Sequence, residues 1–171
     1  MIAIFNYMNI KVFPRKYFLS IKGTDEEMAL FSENNVISII TPEHPATNFP
    51  NEEVPFSEKY KKLDTVLVLK FHDTDTQADD DVVLFNKNDA ESIWQFVQKT
   101  KSNGRGYVVH CTAGLSRSQA VGYVLNEYFN GKCGILPNED CYNIYENRYA
   151  RIRRMNSLVK NILFQRFFVE K

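Results

Sequence analysis

The sequence predicts one α/β domain over residues 1–171, with a mainly parallel central sheet flanked by helices. Three features predict it: short β-branched apolar runs at 36–40, 65–71 and 107–110, helix-period apolar patterns between and after them, and turn residues that separate the two. Strands that alternate with helices are joined by crossovers, and crossovers make sheets parallel.

The first recognisable element is Asp25 followed by Glu26, Glu27, Met28, Ala29, Leu30 and Phe31, an acidic start to a short helix feeding a strand. Residues 36–40 form that strand, stopped by Thr41 and Pro42, and the Pro- and Asn-bearing stretch 42–56 reads as a connection. Residues 65–71, TVLVLKF, are a second strand that ends abruptly in the polar HDTDTQADDD. It delivers a loop. Asn88 stands three residues before Glu91 in the form of a capping box, and Ala90, Ile93, Trp94 and Val97 recur at helical spacing, so a helix is expected over 89–100. Asn103-Gly104-Arg105-Gly106 ends it, and the third strand, 107–110, runs straight into Cys111. A helix over 117–129 follows, closed by Asn130-Gly131. Pro137-Asn138 opens another, and Asn156 caps a last one whose Leu158, Ile162, Leu163 and Phe167 are expected to face inward.

Composition narrows the function classes. A hydrophobic fraction of 44% with 13 Phe and 9 Tyr belongs to a folded protein. Twenty-one basic residues balance twenty-one acidic ones, so no global field draws the chain to nucleic acid or an anionic membrane, and any anion recognition is local. The N-terminal residues read as neither a signal peptide nor a membrane span. Cys111, Cys133 and Cys141 show no paired spacing, which points to a reducing, cytoplasmic setting. With His44, His72 and His110 scattered, no metal site is expected.

The chemistry concentrates in His110-Cys111-Thr112-Ala113-Gly114-Leu115-Ser116-Arg117-Ser118, which lies between the carboxyl end of a strand and the start of a helix, where α/β folds hold ligands. A loop of this length can turn successive N–H groups inward into an anion nest backed by the helix dipole, with Gly114 supplying the backbone freedom. The amides, the dipole and Arg117 together stabilise negative charge on the Cys111 sulfur, which makes it a nucleophile. The planar fork of Arg117 can hold two oxygens of a phosphoryl group.

HCTAGLSRS resembles the signature loop of the protein tyrosine phosphatase superfamily, HCxxGxxRS. Over residues 36–168 the chain resembles its compact dual-specificity-like branch, including an apolar strand ending in Phe-x-Asp before a helix and the tail opened by Pro137-Asn138 and Asn156. The resemblance implies a cysteine-phosphatase-like fold and a hydrolase acting through phosphocysteine on Cys111. It also implies a phosphate-binding loop of Thr112, Ala113, Gly114, Leu115, Ser116 and Arg117, and no metal or organic cofactor. The implied partner is a phosphorylated protein, phosphotyrosine first, with phosphoserine or phosphothreonine open if the pocket is shallow.

Expulsion of an alkoxide or phenoxide needs a proton donor. Asp73, directly after the second strand, is the candidate, since the resemblance places the acid on such a loop; Asp75 is the competitor. Asp79, Asp80 and Asp81 read as a solvated acidic loop. His110 is expected to brace the loop through ring hydrogen bonds to backbone, and Ser118 to donate to the sulfur as it leaves. Asn147-Arg148-Tyr149 has the letters of a substrate-recognition motif of other tyrosine phosphatases but follows the signature loop instead of preceding it, so it carries no assignment. Arg148, Arg151, Arg153 and Arg154 read as a solvated basic face. Two alternatives stay open: a catalytically silent phosphopeptide-binding module, which has no need of a nucleophile, and a phosphatase for phosphoinositides or an RNA 5'-phosphate. A nest with one arginine and no lysine disfavours the second.

Overall fold

The computed structural model describes residues 7–44, 51–131 and 155–170. Among them four strands form one sheet: β1 (Ile10–Pro14), β2 (Asn34–Ile40), β3 (Val66–Lys70) and β4 (Gly106–Cys111), in the order β1-β4-β2-β3. Every pairing is parallel, so each connection crosses a face of the sheet. The expected α/β class with a parallel sheet is what forms.

The side-chain period of two distributes the strands between two cores. On one face Tyr107, Val109 and Cys111 of β4 join Ile37 and Ile39 of β2 and Ile10 and Val12 of β1. On the other lie Val108, Val36, Ile40 and Phe13. Burial on both faces explains why β2 is apolar from Val36 to Ile40 except at Ser38. Ile37 and Ile39 are fully buried and contribute about 1.5–3 kcal/mol each. They offset Ser38 between them, whose buried hydroxyl lacks a hydrogen-bond partner among the described residues and costs about 1–3 kcal/mol.

Helices α3 (Lys87–Thr100), α4 (Arg117–Asn130) and α5 (Ser157–Phe164) cover the first face through Ile93, Val97, Val121, Val124, Leu125 and Leu163. Helices α1 (Arg15–Ile21) and α2 (Asp25–Glu33), with a 3₁₀ turn at Glu58–Lys62, cover the second through Phe18, Phe31 and Tyr60. The chain thus forms three layers.

Several elements differ from expectation. β1 and α1 have no counterpart in the sequence reading; β1 is a five-residue edge strand containing Lys11 and ending in Pro14, which an edge tolerates because it pairs on one side only. Helix α3 begins at Lys87 with Asn86 as its cap, not at Asn88. Asn86 accepts from the Asn88 and Asp89 amides while Asp89 accepts from the Asn86 amide, closing the capping box two residues earlier than Asn88 and Glu91 would. The buried Phe85 and Ala90 decide between the two registers, because they flank this cap as a hydrophobic staple in the first core. Asn156 caps α5 as expected, accepting from the Val159 amide at 3.0 Å. Val159, Leu163 and Phe167 form its buried stripe, with Leu158 and Ile162 half-buried beside it. The helix expected after Pro137-Asn138, the arginine cluster, Cys133 and Cys141 lie outside the described residues.

Candidate active site

Parallel register brings the carboxyl ends of all four strands to one edge. Pro14 pairs with Cys111, Ser38 with His110 and Ile40 with Lys70, so the residues next in sequence converge: Arg15, Thr41, the 71–73 segment and Thr112. The Arg15 amide donates to the Thr112 carbonyl at 3.1 Å, and the Thr41 and Thr112 hydroxyls stand 3.2 Å apart.

From Cys111 the chain curls to the start of α4. Gly114 adopts φ 70°, the left-handed conformation that the curl requires and that glycine takes without a Cβ clash. Gln119, one turn into α4, donates to the Gly114 carbonyl at 3.0 Å. The carbonyl and the following amide of a trans peptide point in opposite directions, so this bond fixes the Leu115 N–H away from Gln119. Ser116 is the α4 cap residue, yet its hydroxyl makes no cap bond because it donates to Asp73. The first-turn amides of α4 are thereby left without a side-chain acceptor from the cap. Cys111 is buried at the base of this loop, with its Sγ 3.0 Å from the Ser118 hydroxyl.

Arg117 is 2% exposed. Its Nη1 donates to the Phe71 carbonyl at 2.7 Å, and its Nη2 donates to Thr112 Oγ1 at 2.8 Å and Thr41 Oγ1 at 3.0 Å. Thr112 in turn donates its hydroxyl hydrogen bond to Glu52, whose two carboxylate oxygens lie 2.9 and 3.0 Å away, and Glu52 also accepts from the Thr41 amide at 2.7 Å. These acceptors fix the guanidinium plane. Its Nε, buried, has no hydrogen-bond acceptor among the described residues; the nearest carboxylate oxygen, Asp73 Oδ2, stands at 4.0 Å.

Asp73 and Asp75 are separated by their partners. Asp73 faces the loop: its Oδ1 accepts from Ser116 at 2.7 Å and from Asn156 Nδ2 at 3.2 Å, and its Oδ2 faces Arg117. Asp75 turns to the start of α5, accepting from the Ser157 hydroxyl and, at 3.4 Å, from the Leu158 amide. Asp79 is more than a solvated residue, for it pairs with His44 Nε2 at 3.3 Å and accepts from the Asp81 amide at 3.1 Å. That contact joins the loop after β3 to the loop after β2.

Neither ring nitrogen of His110 makes a well-formed hydrogen bond among the described residues, though the Cys111 backbone lies near enough to interact with the ring. Packing holds the ring instead, against Phe18 at 4.4 Å between centroids and Phe56 at 6.3 Å. Burial, reinforced by Arg15 and Arg117 and opposed weakly by the Cys111 backbone, lowers its pKa to about 3, so the ring is neutral at ordinary pH. His72, beside Asp73, is lowered too, first by burial and then by His44. Its Nδ1 accepts from the Val83 amide at 3.0 Å, pinning the far end of the loop after β3.

No protein-family model matches the chain, and no curated protein matches it. What the site can do follows from its own atoms. Among the described residues no cluster of three or more His, Cys, Asp or Glu is placed to hold a metal, and no helix is long and apolar enough to cross a membrane. The structure brings Cys111, Thr112, Ser116, Arg117, Ser118 and Asp73 together and leaves Asp75 outside. The sequence reading missed Thr41, Glu52, Gln119 and the second use of Asn156. Thr41 was findable, since it directly follows a parallel strand. Glu52 and Asn156 carry no local signal, being 60 and 83 residues from the groups they hold.

Proposed function

We propose that this chain is a cysteine-dependent phosphatase of the dual-specificity-like kind, hydrolysing phosphate monoesters with protein phosphotyrosine as the leading substrate. The observation that carries the reading is Arg117: a buried guanidinium whose two Nη atoms both donate to protein acceptors keeps Nε without one, beside a cysteine at the base of a curled loop. An unmet buried donor of a cation costs free energy, and an oxyanion in the loop supplies its acceptor.

The reaction runs in two steps. The Cys111 sulfur attacks phosphorus, an S–P bond forms, the P–O bond to the leaving group breaks, and Asp73 gives its proton to the departing oxygen. Water then attacks phosphocysteine, Asp73 takes a proton from it, the S–P bond breaks, and Ser118 donates a hydrogen bond to the sulfur that leaves. Arg117 and the loop amides hold the equatorial oxygens throughout. Acid, nucleophile and cation all come from the chain.

Turnover of an aryl phosphate by wild type and Cys111→Ser tests the reading. Wild type is expected to hydrolyse it, and Cys111→Ser to have no measurable turnover while still binding tungstate, because the serine hydroxyl stays protonated and the nest survives. Hydrolysis by Cys111→Ser at the wild-type rate would overturn the covalent route. Tungstate binding without turnover by wild type would favour a phosphopeptide-binding module.

A further inference from the structure

Two donors converge on one oxygen of Asp73. Ser116 reaches Oδ1 from the nest loop at 2.7 Å and Asn156 reaches the same atom from the cap of α5 at 3.2 Å. An oxygen that accepts two hydrogen bonds is a poor place for a carboxyl proton, so Oδ2 is the oxygen left to carry one. That is the oxygen facing Arg117 and the nest, with no hydrogen-bond donor on it among the described residues. We propose that Asn156 is a positioning residue for the acid, holding Asp73 Oδ1 from the α5 cap so that Oδ2 carries the proton toward the leaving group; this rests on the phosphatase reading above.

Asn156 is built for two tasks at once. It is 5% exposed, its Oδ1 accepts from the Val159 amide, and its Nδ2 is left to donate to Asp73 and, at 3.5 Å, to the Thr74 carbonyl. Asp75 completes the dock on Ser157 and the Leu158 amide. The acid loop therefore rests on the N-terminal end of α5, whose Val159 and Leu163 share a core with α4, the helix that begins at Arg117. Asp75 anchors the loop; it does not supply the proton.

The cap and the acid contact separate cleanly by substitution. Asn156→Asp keeps a cap of equal rank but replaces the donor to Asp73 with a second carboxylate. Two carboxyls sharing a site hold a proton to higher pH, so the basic limb of the kcat/KM profile is expected to move up by about one pH unit or more. A limb lost altogether, the outcome expected of Asp73→Asn because the protonated group is then absent, supports the same contact by showing the acid pushed away. Asn156→Ser also caps but is too short to reach Asp73, and is expected to lose about tenfold with a poor leaving group and little with a highly acidic phenol. Melting temperature, which a purely structural cap would control, is expected to change little in either. An unmoved limb in Asn156→Asp, or a loss in Asn156→Ser that ignores the leaving group, overturns the proposal while wild-type turnover leaves the phosphatase reading standing. No turnover by wild type overturns that reading, and the proposal with it.

Discussion

Two of the three Arg117 nitrogens donate to the protein and the third does not, a division that a lysine cannot reproduce. Nη1 and Nη2 serve Phe71, Thr41 and Thr112, and Nε remains. A lysine has one nitrogen on a flexible stem. It can satisfy the Phe71 carbonyl or an oxyanion, but not both in a fixed plane. Arg117→Lys is therefore expected to lower kcat/KM for an aryl phosphate by about 10²–10³-fold, the range for removing one preorganised oxyanion donor, and to weaken tungstate binding measured by calorimetry. Kinetics within twofold of wild type would take Arg117 out of the site. The residues that meet here were legible where they are close in sequence: Cys111 through Ser118 form one loop, and the nest geometry follows from a strand, a glycine and a helix start. Asp73 was legible as a residue after a strand. What separated it from Asp75 was not, because the deciding donors, Ser116, Asn156 and Ser157, approach from other elements.

Elements carry their own competition between equivalent signals. The segment Asn86-Lys87-Asn88-Asp89-Ala90-Glu91 contains two overlapping forms of a capping box, and the local sequence alone does not rank them. Tertiary packing ranks them, since starting at Lys87 places Phe85 and Ala90 against the first core. Asn86→Ala is expected to destabilise the protein by about 1 kcal/mol and the exposed Asn88→Ala by less than about 0.5 kcal/mol, compared by urea denaturation. Equal losses would mean that the cap is shared between the two positions. The same logic explains the missed strand. β1 is short, interrupted by a lysine and closed by a proline, so its only strong credential is the ladder to β4. There Gly106 admits the approach of the preceding chain: a Cβ would come within 2.8 Å of the Asn9 carbonyl, whose oxygen accepts from the Tyr107 amide. β2 and β3 needed no such context, because each carries a β-branched or apolar run between turn residues: β2 is buried throughout, whereas β3, at the other edge, buries only Leu69.

The whole molecule places a neutral imidazole under the loop from Cys111 to Arg117, and its stability inherits a pH dependence from that choice. His110 is buried among Phe18, Phe56 and the sheet, with Arg15 and Arg117 adding positive charge nearby. Its pKa falls from an ordinary value of 6.5 to about 3 in the folded chain. Below pH 6.5 the unfolded chain therefore binds a proton that the folded chain refuses. Stability rises with pH wherever the unfolded state holds more protons, so this contribution is fully present above about pH 6.5 and is lost as pH falls toward about 3. The slope approaches about 1.4 kcal/mol per pH unit, which removes about 2 kcal/mol by pH 5. Below about pH 3 both states carry the proton and the slope ends. His72 is shifted in the same direction by burial and adds to the loss. Carboxylates held below their ordinary range act in the same sense at lower pH. Glu27 is one: burial raises it, but donors from Ser57 and Gly23 outweigh that. Stability is therefore expected to decline from pH 7 to pH 5, before most carboxylates titrate. Urea denaturation at half-unit steps, on wild type and His110→Gln, isolates the imidazole. The variant is expected to be less stable at pH 7, having lost aromatic packing, yet to show a shallower decline between pH 7 and pH 5. A decline of equal slope in both proteins would mean that His110 takes up its proton without unfolding the chain, and that the loop above it tolerates a cation at its base.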